Sequence, residues 1–526
     1  MQRRQSFLSG AAILAGAVAM TKVLGALYKI PLGNLLGSQG MAHFYAAYNI
    51  YNLLLMLSTA GLPPAASRLV AQAAAQGRHA QARQVFRAAL LLLGAAGAAF
   101  SALMFLLPQA MADALHDGAA AGAIRALAPS VLCVCLTSAI RGYTQGLGSM
   151  TPTAVSQIIE SACKLAVGLG LCAFLLHRGA APEEGAAGAI AGVTCGTALG
   201  LLFLLWALGR LERTPGTDVP LPLGRTMGQL LRIGVPITLA GGGMSLMTLL
   251  DQSLVLGTLQ STLGLSAETA AEQYGQYTFG MTLFVLPPSF IYPLTVSLIP
   301  AISQARTRHD DAAAARLTAS ALRITALLAL PMGVGLSVLA GPILQLLYPA
   351  VPETAQAAAY HLTVLGIASI FVCLMVATNG ILQANGRENV PIWTLLAGGA
   401  LKIVTNYLMV GNPDMGIRGA PVGTLYSYAL IVVLNMIAVH RCTRGQVDFF
   451  RCLWRPALCT AVMALAARSA FTLLGRCVSQ NLAVAAAIAA AAAVYAVMAL
   501  ALGAVTADDL SHFKNGQKWA KRLGLR

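Results

Sequence analysis

Apolar residues fall in runs of about 20, the length that crosses a bilayer core as a helix, and short polar stretches separate the runs. The pattern predicts about fourteen spans, at 7–30, 42–62, 88–107, 127–146, 153–177, 186–208, 230–256, 277–300, 320–346, 359–383, 391–411, 418–440, 453–475 and 482–505. The expected fold class is therefore an all-α polytopic membrane protein. Composition agrees: 57% of residues are hydrophobic and 10% charged, against about 25% charged in soluble domains. The first run is long, and no small-residue cleavage site follows a short apolar core, so it reads as a span rather than a leader.

The net charge of +16 does not point to nucleic acid, because the basic residues follow the loops. Arg68, Arg78, Arg83 and Arg87 follow span 2, Arg210 to Arg232 follow span 6, Arg306 to Arg323 follow span 8, and Arg441 to Arg455 follow span 12. The alternate loops carry Asp113, Asp117, Glu183, Glu184, Glu268, Glu272, Glu353 and Asp414. By the positive-inside rule the basic loops and both termini are cytoplasmic. Ten cysteines are scattered without a Cys-x-x-Cys pair or a histidine cluster, which argues against a zinc site or a disulfide framework.

Short motifs recur in the same order in the two halves. Pro64-Ala65-Ala66-Ser67 pairs with Pro300-Ala301-Ile302-Ser303, and Arg141-Gly142 through Gly146 pairs with Asn379-Gly380 through Ala384. Each of the latter is followed by a proline, Pro152 or Pro391, and then by a lysine deep in the next span, Lys164 or Lys402. Gly188 to Gly192 pairs with Gly419 to Gly423. The offset covers six spans, so the copies share one orientation. It predicts an N-lobe at 1–209, a linker at 210–229, a C-lobe at 230–440, and spans 13 and 14 with a basic tail at 441–526. Parallel repeats of this kind are related by an axis along the membrane normal, with the site between them. The linker is proline-rich at Thr214–Pro222, and the tail from Asp508 lies on the anionic leaflet or in solvent.

Of the charges within the spans, Lys22, Lys29, Glu160, Lys164, Asp251 and Lys402 are the candidate interior ones. Intramembrane charge usually faces protein or a water-filled cavity. Lys22 and Lys29 are two turns apart on one face, about 10 Å along the axis, and line a cavity unless Lys29 snorkels to the headgroups. Glu160 and Lys164 sit at i,i+4, where they either pair with each other or respond to a ligand. Lys402 lacks a carboxylate one turn before it and is the better candidate for a substrate anion. Asp251 binds a cation, balances a lysine or ends its helix. Asn49 faces the cavity or bonds a neighbouring helix. Gly241-Gly242-Gly243 in span 7 suits close helix approach. Four lysines against two carboxylates leave a positive surplus that an anionic substrate such as a diphosphate would offset. No nucleotide-binding or hydrolase motif is visible, so no cofactor and no enzyme activity is expected, and ion or lipid gradients or the membrane potential must drive transport.

Four stretches carry a family resemblance: Lys22-Val23-Leu24-Gly25 through Ile30-Pro31-Leu32; Ser58-Thr59-Ala60-Gly61-Leu62-Pro63; Arg141-Gly142-Tyr143-Thr144-Gln145-Gly146; and Met150-Thr151-Pro152 through Ile159-Glu160. On these the chain resembles the MOP flippase superfamily, within it the stage V sporulation protein B-like polysaccharide transporters, relatives of MurJ-type lipid II flippases. The resemblance covers essentially the whole chain. It implies two six-helix lobes, two additional C-terminal helices and a bacterial cytoplasmic-membrane location. It also implies alternating access for an undecaprenyl-diphosphate-linked saccharide, with membrane lipids and a monovalent cation as further partners. The lipid II flippases use arginines in spans 1, 2 and 8. Here Lys22 and Lys29 stand near the span 1 positions, Asn49 near the span 2 position, and span 8 holds no basic residue. Lys22 and Lys402 are expected to meet the diphosphate from opposite lobes.

The main alternative is a cation-coupled multidrug exporter of the same superfamily. Cationic drugs favour acidic interiors, whereas lysines prevail here. A major-facilitator carrier expects an aspartate-bearing motif after span 2, and Ser67 to Arg87 holds no aspartate. A scaffold for cell-wall synthesis would not need interior lysines.

Overall fold

The computed structural model describes residues 7–210 and 218–504, as helices joined by short turns, with no strand among the described residues. The tail from Asp508 and the linker residues 214–217 lie outside them. The chain divides into two compact units, Met1–Gly275 and Gln276–Arg526.

The first unit holds α1 (Phe7–Thr59), α2 (Leu62–Ala75), α3 (His79–Leu106), α4 (Pro108–Ala114), α5 (Ala121–Gly146), α6 (Thr151–Cys163), α7 (Leu169–His177), α8 (Pro182–Gly209) and α9 (Leu223–Ser261). A π-helical segment, Lys164–Gly168, joins α6 to α7. α1 is two helices in one: Gly37 takes φ 64° and ψ −166°, a backbone conformation open to glycine but not to side chains with a Cβ. α5 is the hub, packing on α1, α2, α3 and α8.

α9 starts at Leu223, several residues before the seventh expected span, and packs on α1, α2 and α3. The repeat assigns it to the second lobe, but its contacts place it in the first unit. The segment before it is clipped to α3. The Asp218 carboxylate accepts from the N–H groups of Ala80 and Gln81 at 2.8 and 2.9 Å, satisfying donors that the first turn of α3 leaves unpaired. Burial acts to raise the Asp218 carboxyl, and the two N–H groups outweigh it, so the group is held below its ordinary value.

The second unit contains the end of α10 (Ala267–Phe284), then α11 (Leu286–Thr307), α12 (Asp311–Val338), α13 (Ala340–Leu347), α14 (Pro352–Ala384), α15 (Val390–Val410), α16 (Gly419–Cys442), α17 (Phe449–Leu474) and α18 (Gln480–Ala501). α14 is its hub, packed on α11, α12 and α16. α17 and α18, outside the repeat, bury Met463, Ala467, Ala487 and Ala491 with Leu339. Arg306 ties four helix ends together, donating to Asn385 Oδ1 at 2.7 Å, to Asp311 Oδ1 at 2.6 Å and to the Cys442 carbonyl.

Eleven segments among the described residues are long and apolar enough to cross a bilayer, fewer than the fourteen expected. The first two expected spans lie in one segment, Gly16–Ala75, bent at Gly37. The eighth is broken at Val285 into α10 and α11, and α10 opens with Glu268, Glu272 and Gln273.

Candidate functional site

The polar interior of the first unit is built where α1, α5, α6, α8 and the π segment meet. The π segment begins at Lys164 itself, and single π turns inside α-helices mark functional positions more often than chance. Its last residue, Gly168, meets Gly192 of α8 backbone to backbone, leaving no room for a Cβ at either position. Tyr28 of α1 packs against the same glycine and donates from its hydroxyl to the Ala189 carbonyl at 2.9 Å.

Aromatic rings hold the lysines. Lys164 Nζ lies 4.7 Å from the Tyr28 ring centroid and 4.8 Å from that of Tyr48, and it donates to the Tyr48 hydroxyl at 3.5 Å, the outer limit of a hydrogen bond. Lys29 donates to the Tyr45 hydroxyl at 2.9 Å with its Nζ 4.7 Å from that ring. Cation–π contacts stabilise an ammonium by about 0.5–2 kcal/mol without neutralising it. Phe44 stacks on Tyr48 at 5.6 Å, and Tyr51 follows at 5.7 Å. The Tyr48 hydroxyl feels the charges of Lys164, Lys29 and Lys22 together.

Several expectations change. Glu160 does not pair with Lys164; it accepts from Arg141 at 2.6 Å. The guanidinium of α5 reaches the carboxylate first, and the π segment that begins at Lys164 ends in contact with Tyr28, whose ring, with that of Tyr48, takes the ammonium instead. Lys22 is exposed, with no hydrogen bond or ion pair among the described residues, while Lys29 is half-buried. Asn49 bonds a neighbouring helix, its amide donating to Gln252 Oε1 of α9 at 2.7 Å. Asp251 is buried and does not end its helix, since α9 runs on to Ser261. Lys402 is half-buried on α15, in the second unit.

In the sequence Arg141 stands out as a repeat and family-motif residue and not as a site residue, and Tyr28 and Gln252 do not stand out as site residues. Nothing in linear order joins 141 to 160 or 49 to 252. The one available signal was an arginine near a span end, with Glu160 in the next span.

With Glu160 committed to Arg141, the ammonium groups of Lys22, Lys29 and Lys164 have no carboxylate within ion-pair distance among the described residues. The described residues contain no group of three or more His, Cys, Asp or Glu side chains placed to hold a metal ion. The arrangement can bind an anion.

A multi-pass helical membrane protein with a cationic, tyrosine-lined interior is the class that fold and site define. The chain belongs to the polysaccharide biosynthesis protein family, whose model matches residues 7–306. It is 25% identical over 445 residues to stage V sporulation protein B of Bacillus subtilis (strain 168), covering 83% of this chain and 84% of that one. The lipid II flippase MurJ of the same organism is 23% identical over 456 residues, covering 82% of each. A solved inward closed conformation of MurJ superposes with a TM-score of 0.68 at 13% identity, covering 93% of this chain and 98% of that one. An inward-facing multidrug resistance MATE family transporter of the MOP superfamily also gives 0.68, at 14% identity over 80% and 94%. The two structures show a shared fold.

Proposed function

We propose that the chain is a flippase that moves an undecaprenyl-diphosphate-linked saccharide from the inner to the outer leaflet of a bacterial cytoplasmic membrane, with both termini in the cytoplasm. The observation that carries this reading is the set of interior lysines held by tyrosine rings and hydroxyls rather than by carboxylates. A headgroup crossing the bilayer sheds water from its diphosphate, and fixed positive charge offsets that loss. Lysine meets phosphate as a mobile point charge, without the fixed fork of arginine, which suits a ligand that must move on.

In this reading Lys22, Lys29 and Lys164 contact the diphosphate in the first unit, Asn49 shapes the site through Gln252, and Lys402 lies on the cargo path of the second unit. Asp251 is the coupling carboxylate, for a monovalent cation. An apolar groove of about 460 Å³ in the second unit, lined by Phe290, Leu336, Met463 and Ile488 among others, suits a polyprenyl chain. Membership in a polysaccharide biosynthesis family supports the cargo class.

The test is purified protein in vesicles bearing a fluorescent undecaprenyl-diphosphate saccharide in one leaflet. Flipping that Lys164→Ala abolishes supports the reading. Vesicles that instead accumulate cationic drugs, with no flipping, would establish the exporter alternative.

A further inference from the structure

Arg141 is anchored by three side-chain hydrogen bonds within the first unit. Its Nε and one terminal nitrogen donate to Ser156 Oγ at 3.0 and 2.8 Å, and that terminal nitrogen also donates to Glu160 Oε1 at 2.6 Å. The two side chains are only 14% and 20% exposed. Room for the carboxylate comes from Gly200 of α8, where a Cβ would stand 2.7 Å from Glu160 Oε1.

The repeat supplies a control for what this ion pair does. In the second unit Asn379, Thr394 and Gly398 stand where Arg141, Ser156 and Glu160 stand in the first. The helix crossing keeps its register. Gly196 approaches the Glu160 carbonyl so closely that a Cβ would lie 2.6 Å away, and at the matching place Ser427 donates to the Gly398 carbonyl at 2.8 Å. The filling is reversed: Glu160 lies over Gly200 in one unit, and Ile431 lies over Gly398 in the other. Neutral bonds hold the second crossing, with Asn435 accepting from Thr394 at 2.8 Å and donating to Thr378 at 3.1 Å and Asn379 at 2.8 Å. α15 runs through this region without a π turn. The same crossing therefore forms without charge, so the pair in the first unit is not needed to build it.

The pair adjoins the lysines. Lys164 is one helical turn beyond Glu160, and Tyr51, 5.7 Å from Tyr48 between ring centroids, lies in the field of Glu160. We propose that Arg141 is a phosphate-binding residue of the site and that Glu160 is its resident counter-anion, displaced when the diphosphate arrives. A guanidinium offers the same fork to a carboxylate or a phosphate. The displaced carboxylate stays a turn away from Lys164, so the exchange strands no buried charge and breaks no covalent bond. This deepens the proposed flippase reading and rests on it.

The experiment measures binding of inorganic pyrophosphate to the purified full chain by calorimetry, alongside flipping in vesicles. Displacement demands opposite signs. Arg141→Gln weakens pyrophosphate binding by about tenfold or more, the ratio one charge-assisted hydrogen bond is worth, and Arg141→Lys recovers part of it. Glu160→Gln tightens binding, because the competitor is gone. Gly200→Ala tightens it too, by pushing the carboxylate off the guanidinium while keeping the charge, and it serves if Glu160→Gln folds poorly. Equal weakening by Arg141→Gln and Glu160→Gln, or no change from either while Lys164→Ala weakens binding, overturns the displacement and leaves the flippase reading standing. No pyrophosphate binding by any variant or the parent overturns both.

Discussion

At the residue scale the division of labour between ring and hydroxyl is testable. Tyr48→Phe keeps the ring under Lys164 and removes one long hydrogen bond, so transport should fall only modestly. Tyr48→Ala removes one of the two rings beside Lys164 and leaves that of Tyr28, so it should cost transport more than Tyr48→Phe but less than Lys164→Ala, in line with a cation–π contact worth about 0.5–2 kcal/mol. Initial flipping rates normalised to membrane abundance make the comparison, and equal losses for both tyrosine variants would refute it. A second residue-scale prediction concerns acid. Asp218 is held below its ordinary value when docked on α3, so docking is favoured above the undocked value of about 3.9 and is lost as pH falls through the docked one. Asp218→Asn should therefore show at neutral pH the proteolytic opening near residue 218 that the parent shows only in strong acid. Which residues bear charge was legible in the sequence; which charges meet was not. Glu160 had Lys164 as its nearest neighbour in the chain, yet Arg141 on another helix reaches it first.

At the element scale the π segment is the feature that periodicity does not reveal. A five-residue change of winding inside an apolar run leaves the hydrophobic pattern intact, so Thr151–His177 still reads as one span. Its partner is a glycine of α8 that tolerates no Cβ. Gly192→Ala should push α8 off Gly168, with overpacking costing about 1–3 kcal/mol, and should lower both thermal stability in detergent and the anion affinity of Lys164. If Gly192→Ala left the melting temperature unchanged, the crossing would not be as tight as described. The bend in α1 was, by contrast, readable in outline, because the expected spans 7–30 and 42–62 leave a stretch between them that holds Gly33, Gly37 and Gly40. The break at Val285 was hidden, since α11 is apolar despite Pro293 and Pro300, and the run continues through it.

At the scale of the molecule the helical membrane class follows from composition, and the register of the repeat is visible from a handful of short motifs. The boundary between the compact units was not. The proline-rich stretch near 214–222 looks like a connection between lobes, yet Asp218 ties its end to α3 and α9 returns to the first unit. Contacts between helices far apart in sequence decide that, and no local signal reports them. The loop charge bias makes its own prediction. A single accessible cysteine placed at Glu183 should react with a membrane-impermeant maleimide added outside cells, and one at Arg316 should not. The opposite pattern would invert the assigned orientation.

The mirrored filling of the two crossings shows one frame met by two different sets of side chains, a charged set in the first unit and a neutral set in the second. Such sets should be exchangeable in the laboratory. Gly398→Glu alone drives a side chain into Ile431, where even a Cβ would overlap Cγ1, and should cut accumulation of the protein, whereas the triple variant Asn379→Arg, Gly398→Glu, Ile431→Gly supplies both the partner and the space and should restore it. Recovery of the triple variant would show the first-unit arrangement to be a transplantable module.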